Sequence, residues 1–183
     1  MTLQERLARV KLLCCDWDGC FTDNHVYTFG DGSEAIRTSR ADGIGIERLK
    51  KLGVRIIVIT SEPPFTAGHR SIVDVRCAKL GLEVRHAIPP IDKLAHLYTL
   101  SDDFEEVAYL GNDINDLPCL RVAGVPILVN DAEPALHKVF STPGGPYLSR
   151  GGGDGAVREV ADLIADAIEQ HKPNLQRVAE ALA

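Results

Sequence analysis

The chain has 183 residues, a formal net charge of −6 at pH 7 and a sequence pI near 5.5. A chain of this length can bury one sizeable hydrophobic core, and we expect a single domain that spans residues 1–183. The acidic balance argues against a nucleic-acid-binding surface, and no apolar stretch approaches the roughly 18 residues that can span a bilayer, so we expect neither nucleic acid nor a membrane as a partner.

Predicted strands alternate with predicted helices along the chain. Apolar, β-prone runs predict strands at Val10–Asp16, Val54–Thr60, Leu82–His86, Val107–Leu110 and Val125–Val129. Helical patterns lie at Ile44–Leu52, Ser71–Leu80, Lys93–Leu100, Asp116–Val122, Pro134–Val139 and Ala156–His171. We expect residues 173–183 to form either a short extra helix or a frayed end. The alternation is typical of βαβ units and predicts an α/β fold with a parallel sheet.

One segment between the first strand and the first helix departs from this alternation. Two short β-prone runs, 25–29 and 33–38, flank the glycine-rich sequence Gly30-Asp31-Gly32. This pattern predicts a β-hairpin at about residues 24–38.

Two aspartates follow the first predicted strand in the sequence Asp16-Trp17-Asp18-Gly19. Side chains at positions i and i+2 of an extended segment point the same way, so their charges repel each other. Burying a carboxylate without a partner also costs several kcal/mol. A bound divalent cation resolves this conflict, and the pattern therefore predicts a Mg²⁺-assisted site in which one aspartate can act as a nucleophile.

The sequence Asp16-x-Asp18-Gly19-x-x-Thr22-Asp23 resembles the first motif of the haloacid dehalogenase (HAD) superfamily of phosphatases. The resemblance implies a Rossmann-like three-layer fold with a parallel sheet and a small hairpin flap. It also implies a phosphoric monoester hydrolase that uses Mg²⁺.

Further motifs follow in the order that this superfamily requires. Thr60 ends the second predicted strand, Lys93 follows, and a later strand leads into the sequence Gly111–Asp116. A threonine at a strand end is often a helix N-cap, and a lone lysine is usually a solvated surface residue. The order of the motifs, rather than the type of each residue, favours the functional interpretation.

The resemblance implies a role for each residue of these motifs. Asp16 is expected to attack phosphorus and form an aspartyl-phosphate, and Asp18 to act as general acid and then as general base. Thr60 and Lys93 are expected to bind the phosphoryl oxygens. Gly19 is expected to lie against the substrate.

The fourth motif departs from the commoner pattern of the superfamily. Asn112 stands where an aspartate often binds the metal, and Asp113 follows it. We expect Mg²⁺ to be bound by Asp16, by the backbone carbonyl of Asp18 and by Asn112 or Asp113, and the sequence leaves this last choice open. Asp116 is expected to support the substrate side of the site by orienting Lys93 or a water molecule.

The absence of a large inserted cap and the presence of a hairpin resemble one branch of the superfamily, the 3-deoxy-manno-octulosonate 8-phosphate phosphatases. Members of this branch are typically tetrameric, and a neighbouring subunit closes each active site. The resemblance therefore implies a homotetramer that acts on a small phosphorylated sugar acid. An ordinary surface hairpin is the alternative interpretation.

The residues after Thr60 bear on the choice of substrate. Ser61 and Glu62 stand where octulosonate phosphatases usually have Gly-Arg, and the glutamate resembles relatives that act on nine-carbon acids such as 2-keto-3-deoxynonulosonate 9-phosphate. Arg76 and Lys79 match positions that pair with this glutamate in those relatives. The resemblance implies that these residues bind the substrate, whereas a solvated helix face is the alternative for Arg76 and Lys79.

Two alternatives to a nonulosonate 9-phosphate phosphatase stay open. The chain could hydrolyse 3-deoxy-manno-octulosonate 8-phosphate, or it could be a catalytically weak assembly module like the domains that are fused to acylneuraminate cytidylyltransferases.

The sequence also bears on the location of the protein. It has five cysteines without a CxxC pair, which predicts reduced thiols, and its N-terminus lacks a signal-peptide pattern. We therefore expect a cytoplasmic location.

Overall fold

A parallel sheet forms the centre of the molecule. The computed structural model describes residues 1–66, 69–89, 91–140 and 147–181, with the backbone alone for residues 66, 69 and 172–181. The strands are β1 (Leu12–Cys15), β2 (Thr22–Thr28), β3 (Glu34–Thr38), β4 (Arg55–Thr60), β5 (Phe65–Thr66), β6 (His69–Arg70), β7 (Glu83–His86), β8 (Val107–Gly111) and β9 (Val125–Leu128). The central sheet has the order β7-β4-β1-β8-β9, and all its pairs are parallel. The predicted α/β class is confirmed.

Helices cover the two faces of this sheet. They are α1 (Leu3–Ala8), α2 (Ala41–Lys51), α3 (Ile72–Leu80), α4 (Lys93–Tyr98), α5 (Leu117–Val122), α6 (Pro134–Val139) and α7 (Ala156–Ala181), with short 3-10 helices at Phe104–Glu106 and Ile114–Asp116. Helix α7 packs against α1 and α2, while α4 packs against α5. Right-handed crossovers on either side of β1 place these two groups on opposite faces, which gives a three-layer fold.

Strand β1 lies at the middle of the sheet because its residues are apolar on both faces. Its four residues are 0–5% exposed, and Ile56–Ile59 of β4 are 0–4% exposed. Such continuous burial is what a parallel strand between two helical layers requires. Each fully buried aliphatic side chain contributes about 1.5–3 kcal/mol of hydrophobic free energy. The carboxyl ends of the strands are therefore held in fixed positions.

The predicted hairpin is present as the antiparallel pair β2–β3. Its side chains are mostly exposed, including the apolar residues Val26, Tyr27 and Phe29. Arg37 on β3 lies 2.8 Å from Asp23 on the other hairpin strand. It also lies 2.9 Å from Asp154, in the turn before α7, and this second contact attaches the hairpin to the rest of the chain. The hairpin thus projects from the domain while its base is tied down.

The main differences from the sequence prediction lie in helices α1 and α7 and in strands β5 and β6. Helix α1 and the two-residue strands β5 and β6 are additional. Helix α7 continues to Ala181, so that residues 173–181 extend it instead of forming a separate helix, and 182–183 lie outside the described residues. Among the residues that the structure describes, no helix is long and apolar enough to cross a membrane.

Candidate active site

Polar residues lie at the ends of three central strands, on one edge of the sheet. Asp16 follows β1 directly, Thr60 is the last residue of β4, and Asn112 follows β8. Since β1 pairs with both β4 and β8 in parallel, these residues meet at the carboxyl edge, where the strand order reverses. Ligands of open parallel sheets bind at such a switch point.

A buried lysine joins two aspartates at this edge. The ammonium nitrogen Nζ of Lys93 lies 2.7 Å from Oδ1 of Asp16 and 2.8 Å from Oδ1 of Asp116. The three side chains are 4%, 7% and 0% exposed, respectively. Lys93 is therefore not a solvated surface lysine, because it is buried between two carboxylates that balance its charge.

Asp116 holds this arrangement in place by accepting further hydrogen bonds. The hydroxyl of Tyr109 donates to Oδ1 at 2.9 Å, and the backbone N–H of Asn112 donates to Oδ2 at 2.9 Å. A Cβ atom at Gly111 would lie 2.7 Å from the Asp116 side chain, which explains the glycine at this position. Asp116 thus orients Lys93 and the loop after β8.

The protonation states follow from burial and from these neighbours. Burial and the negative charge of Asp116 raise the pKa of Asp16 to about 7, although Lys93 opposes this change. Burial alone would lower the pKa of Lys93, but the two carboxylates raise it well above its usual range, so the lysine stays charged. A further cation beside Asp16 would favour the charged carboxylate.

The two carboxylate oxygens of Asp16 differ in their hydrogen bonds. Its Oδ1 receives the backbone N–H of Trp17 at 2.7 Å as well as Lys93. Within the described ranges, no donor contacts Oδ2. One oxygen is therefore fixed by two donors while the other can react.

Asp18 lies at the edge of the site and is half-buried. The hydroxyl of Thr22 donates to its Oδ1 at 3.3 Å. Burial raises the pKa of Asp18, and the hydrogen bond from Thr22 opposes this effect. A carboxyl group with a raised pKa and partial access to solvent can both donate and accept a proton.

Asn112 carries a buried oxygen that lacks a partner. Its Oδ1 is buried and makes no hydrogen bond to any of the residues that the structure describes. Gly19, with φ +76°, lets Asn112 approach closely, because a Cβ atom there would lie 2.0 Å from Nδ2. An unpartnered buried carbonyl oxygen is costly unless a ligand satisfies it, and hard cations bind such oxygens.

Asp113 is arranged differently. It is exposed, and its Oδ1 accepts the backbone N–H of Ile114 at 2.6 Å at the start of a 3-10 helix. Among the described side chains, no group of three or more His, Cys, Asp or Glu residues could hold a metal. The residues present fit a hard cation at this edge, because Asn112 offers a neutral oxygen and Asp16 a carboxylate.

Thr60 is buried and forms a turn with the residues that follow. Its Oγ1 accepts the backbone N–H of Glu62 at 3.0 Å. Helix α3 is capped instead by Ser71, whose hydroxyl accepts the N–H of Val73, so the N-cap interpretation of Thr60 is wrong. In the described part of the chain the Thr60 hydroxyl donates to no protein atom, and it remains available to a ligand.

A cavity of about 340 Å³ opens above Lys93. Its lining includes the predicted Ser61, and it adds residues that the sequence did not single out: Ala87, Pro89, Ile91, Asp92 and Asn115. Asn115 lies inside the fourth motif, so its position at a strand end was a usable signal. No comparable sequence motif marks the other lining residues Ala87, Pro89 and Ile91.

The three residues expected to recognise the substrate are not brought together. Glu62 is exposed overall. The partial burial of its carboxyl group raises its pKa, and so do the negative charges of Asp18 and Glu34. Arg76 and Lys79 lie on α3 and line a separate recess of about 200 Å³ beside the hairpin. No contact among the described residues joins Glu62 to either basic side chain.

Comparison with known proteins agrees with the fold and the motifs, although no family model matches the chain. It is 34% identical over 165 residues to a 3-deoxy-D-manno-octulosonate 8-phosphate phosphatase of Yersinia pestis, of which it covers 82%. It is 35% identical over 161 residues to the N-acylneuraminate cytidylyltransferase A of Danio rerio, but spans only 35% of that protein.

Among solved structures, the 3-deoxy-D-manno-octulosonate 8-phosphate phosphatase of Moraxella catarrhalis, in complex with magnesium, phosphate and KDO, superimposes with a TM-score of 0.79. It is 28% identical in sequence, and the match covers 96% of this chain and 97% of the other.

Proposed function

Because the chain belongs to the HAD superfamily, in the phosphatase family that includes the 3-deoxy-D-manno-octulosonate 8-phosphate phosphatases, we propose that it hydrolyses the phosphomonoester of a sugar acid. The reaction proceeds through an aspartyl-phosphate. The observation that carries this proposal is the buried Asp16, whose Oδ1 is held by Lys93 at 2.7 Å while its Oδ2 is free of protein donors among the described residues.

In the first step, Oδ2 of Asp16 attacks phosphorus in line with the ester oxygen. The phosphorus–ester bond breaks, and the carboxyl group of Asp18 protonates the departing alkoxide. Lys93 and the Thr60 hydroxyl stabilise the charge that develops on the phosphoryl oxygens. The half-buried position and raised pKa of Asp18 support its role as the acid.

In the second step, Asp18 acts as a general base. Its carboxylate now removes a proton from a water molecule, which attacks phosphorus and displaces Asp16. Inorganic phosphate leaves, and both aspartates return to their starting states. Asp116 does not contact the reacting atoms; it keeps Lys93 oriented through the 2.8 Å ion pair.

Mg²⁺ is the metal that we propose for this site, held by Asp16, the backbone carbonyl of Asp18 and Asn112. The unpartnered Oδ1 of Asn112 supports Asn112 over Asp113, whose carboxylate caps the next turn. When bound, the metal neutralises charge on Asp16 and on the phosphoryl group. The magnesium complex of the Moraxella relative is consistent with this choice.

For the substrate, we propose a nonulosonate 9-phosphate of the 2-keto-3-deoxynonulosonate type. Ser61 and Glu62, which follow β4, support this, as does the similarity to an N-acylneuraminate cytidylyltransferase. The octulosonate 8-phosphate remains the second candidate, because the Yersinia relative carries that name.

We further propose that the protein is a cytoplasmic homotetramer. The exposed apolar residues Val26, Tyr27 and Phe29 of the hairpin support an interface between copies. The separation of Glu62 from Arg76 and Lys79 within one chain also supports this, because the basic pair of one copy can then face the glutamate of another.

The test is a phosphate-release screen with Mg²⁺ over eight- and nine-carbon ulosonic acid phosphates, with p-nitrophenyl phosphate as a generic ester. We expect activity that a chelator abolishes and Mg²⁺ restores, with the highest kcat/KM on a nine-carbon substrate. A preference for the octulosonate phosphate would change the substrate assignment alone. Absence of phosphate release from every ester would contradict the phosphatase and favour an assembly module.

A further inference from the structure

A histidine at the end of β7 contacts the loop that faces the substrate cavity. His86 pairs with Thr60 in the sheet, and its side chain is 16% exposed. Its Nδ1 lies 2.6 Å from the backbone carbonyl oxygen of Glu62, and its Nε2 lies 3.2 Å from Oδ1 of Asp74 on α3. One imidazole ring therefore bridges the loop after β4 and the helix that follows it.

Both atoms that the ring contacts are hydrogen-bond acceptors. A neutral imidazole has one donor nitrogen and one acceptor nitrogen, so it can satisfy only one of them. The carbonyl oxygen of Glu62 can only accept, so the 2.6 Å contact requires the proton to be on Nδ1.

Two further hydrogen bonds fix the backbone beside the ring. The Nε2–H of His96 on α4 donates to the carbonyl oxygen of His86 at 3.0 Å, and the N–H of Ala87 donates to the carbonyl of Thr60 at 2.7 Å. The turn from Thr60 to Glu62 is thus fixed at its start by Ala87 and at its end by the imidazole.

We propose that His86 is a positioning residue for substrate recognition. It touches neither the phosphoryl group nor the reacting oxygens; by holding the Glu62 carbonyl, it fixes the direction in which the Glu62 side chain meets the substrate. This inference rests on the proposed function, because it assigns Glu62 to the sugar-acid end of the site. It also makes a structural claim about residues 60–62 that does not depend on any substrate.

The kinetic test compares three substitutions of this residue. His86→Ala should raise KM for the sugar-acid phosphate about tenfold, the effect of losing one strong hydrogen bond, while kcat changes little. His86→Asn places an amide donor where Nδ1 lies and should restore most of the affinity. His86→Gln reaches towards Asp74 instead and should not. The matched control is His137→Ala, which removes a histidine that stacks on Tyr147.

A uniform loss of kcat in all three variants, or a KM that none of them changes, would overturn the positioning role. Restoration by Gln but not by Asn would also overturn it, because the contact with Asp74 would then be the one that matters.

Hydrogen exchange separates this inference from the proposed function. In His86→Ala the backbone amides of residues 60–62 should exchange faster than in the wild type, and in His86→Asn they should be protected again. Unchanged exchange in His86→Ala would overturn the inference, even if the enzyme hydrolyses a sugar-acid phosphate. Altered exchange in a protein that hydrolyses no such ester would leave His86 as the holder of this turn and contradict the proposed function instead.

Discussion

The phosphoryl end of the proposed site and its substrate rim differ in how their charged groups are held. At the phosphoryl end, Asp16, Lys93 and Asp116 are buried and joined by contacts of 2.7 and 2.8 Å. At the rim, Glu62 and Lys79 are exposed, and no described contact joins them. In the proposed site, the charged groups of the phosphoryl end are therefore held together within one chain, whereas those of the rim are not.

This difference has a physical cause. Buried charges cannot be left without partners, so the residues that bind a transferred phosphoryl group must be neutralised by one another before the substrate arrives. Exposed charges carry no such requirement, since water solvates them. Selection for substrate can therefore change the rim without disturbing the fold, while each residue of the phosphoryl end is coupled to its neighbours.

The largest expected effect is at the nucleophile. Asp16→Asn should abolish turnover with every ester, because it removes the attacking charge at nearly constant shape. Asp18→Asn should be nearly as damaging for a sugar-acid phosphate through loss of the proton donor. Steady-state phosphate release measures both, and the exposed Asp102→Asn is the control. Near wild-type release by Asp16→Asn would show that the phosphoryl end is not where the chemistry occurs.

The next effect is on stability and tests the coupling of the buried charges. Lys93→Met should lower the free energy of unfolding by about 3–5 kcal/mol, because it leaves two buried carboxylates without a cation. Lys51→Met, at an exposed position on α2, should have little effect. Urea unfolding followed by circular dichroism measures the difference. Equal stability of the two variants would mean that the network is not coupled to the fold.

At the rim, substitutions should affect recognition and leave the chemistry intact. Glu62→Ala and Lys79→Ala should each lower kcat/KM for a nonulosonate 9-phosphate roughly ten- to a hundredfold, the effect of losing a hydrogen bond to a charged group of about 1.5–3 kcal/mol. Hydrolysis of p-nitrophenyl phosphate, which is too short to reach the rim, should be almost unchanged. Equal losses on both esters would show that these residues support the fold, and the nine-carbon assignment would then fail.

The smallest effect concerns Asn112, the proposed metal ligand. Asn112→Asp should tighten Mg²⁺ binding several-fold by adding a negative charge, whereas Asp113→Ala should leave it nearly unchanged, since Asp113 caps a turn. Isothermal titration calorimetry measures both affinities. Weaker binding in Asp113→Ala with no change in Asn112→Asp would place the third ligand at Asp113.

The contrast between buried and exposed residues also explains which parts of the fold and of the site could be predicted from the sequence. The strand predicted at Val54–Thr60 is observed at Arg55–Thr60, because a continuous run of buried β-branched residues has few alternatives in an α/β fold. Asp16, Thr60 and Lys93 could be placed because each is tied to a strand end or to a motif in a fixed order. The buried parts of the fold and of the phosphoryl end could therefore be predicted from the sequence.

Elsewhere the sequence carried less information. Helix α1, from Leu3 to Ala8, is too short to show a clear helical period. The bridge from His86 to Glu62 and Asp74 links residues 24 and 12 positions apart in the chain, and no local pattern signals it. The separation of Arg76 from Glu62 follows from the packing of α3 beside the hairpin, which only the three-dimensional structure shows.

Trapping the covalent intermediate tests the central claim most directly. Asp18→Asn keeps the nucleophile but lacks the base for the second step, and p-nitrophenolate leaves without needing an acid. After acid quenching of this variant during reaction with p-nitrophenyl phosphate and Mg²⁺, peptide mass mapping should find one phosphoryl group on the peptide that contains Asp16. A phosphoryl group on another residue, or a burst of p-nitrophenolate without any phosphorylated peptide, would contradict the account.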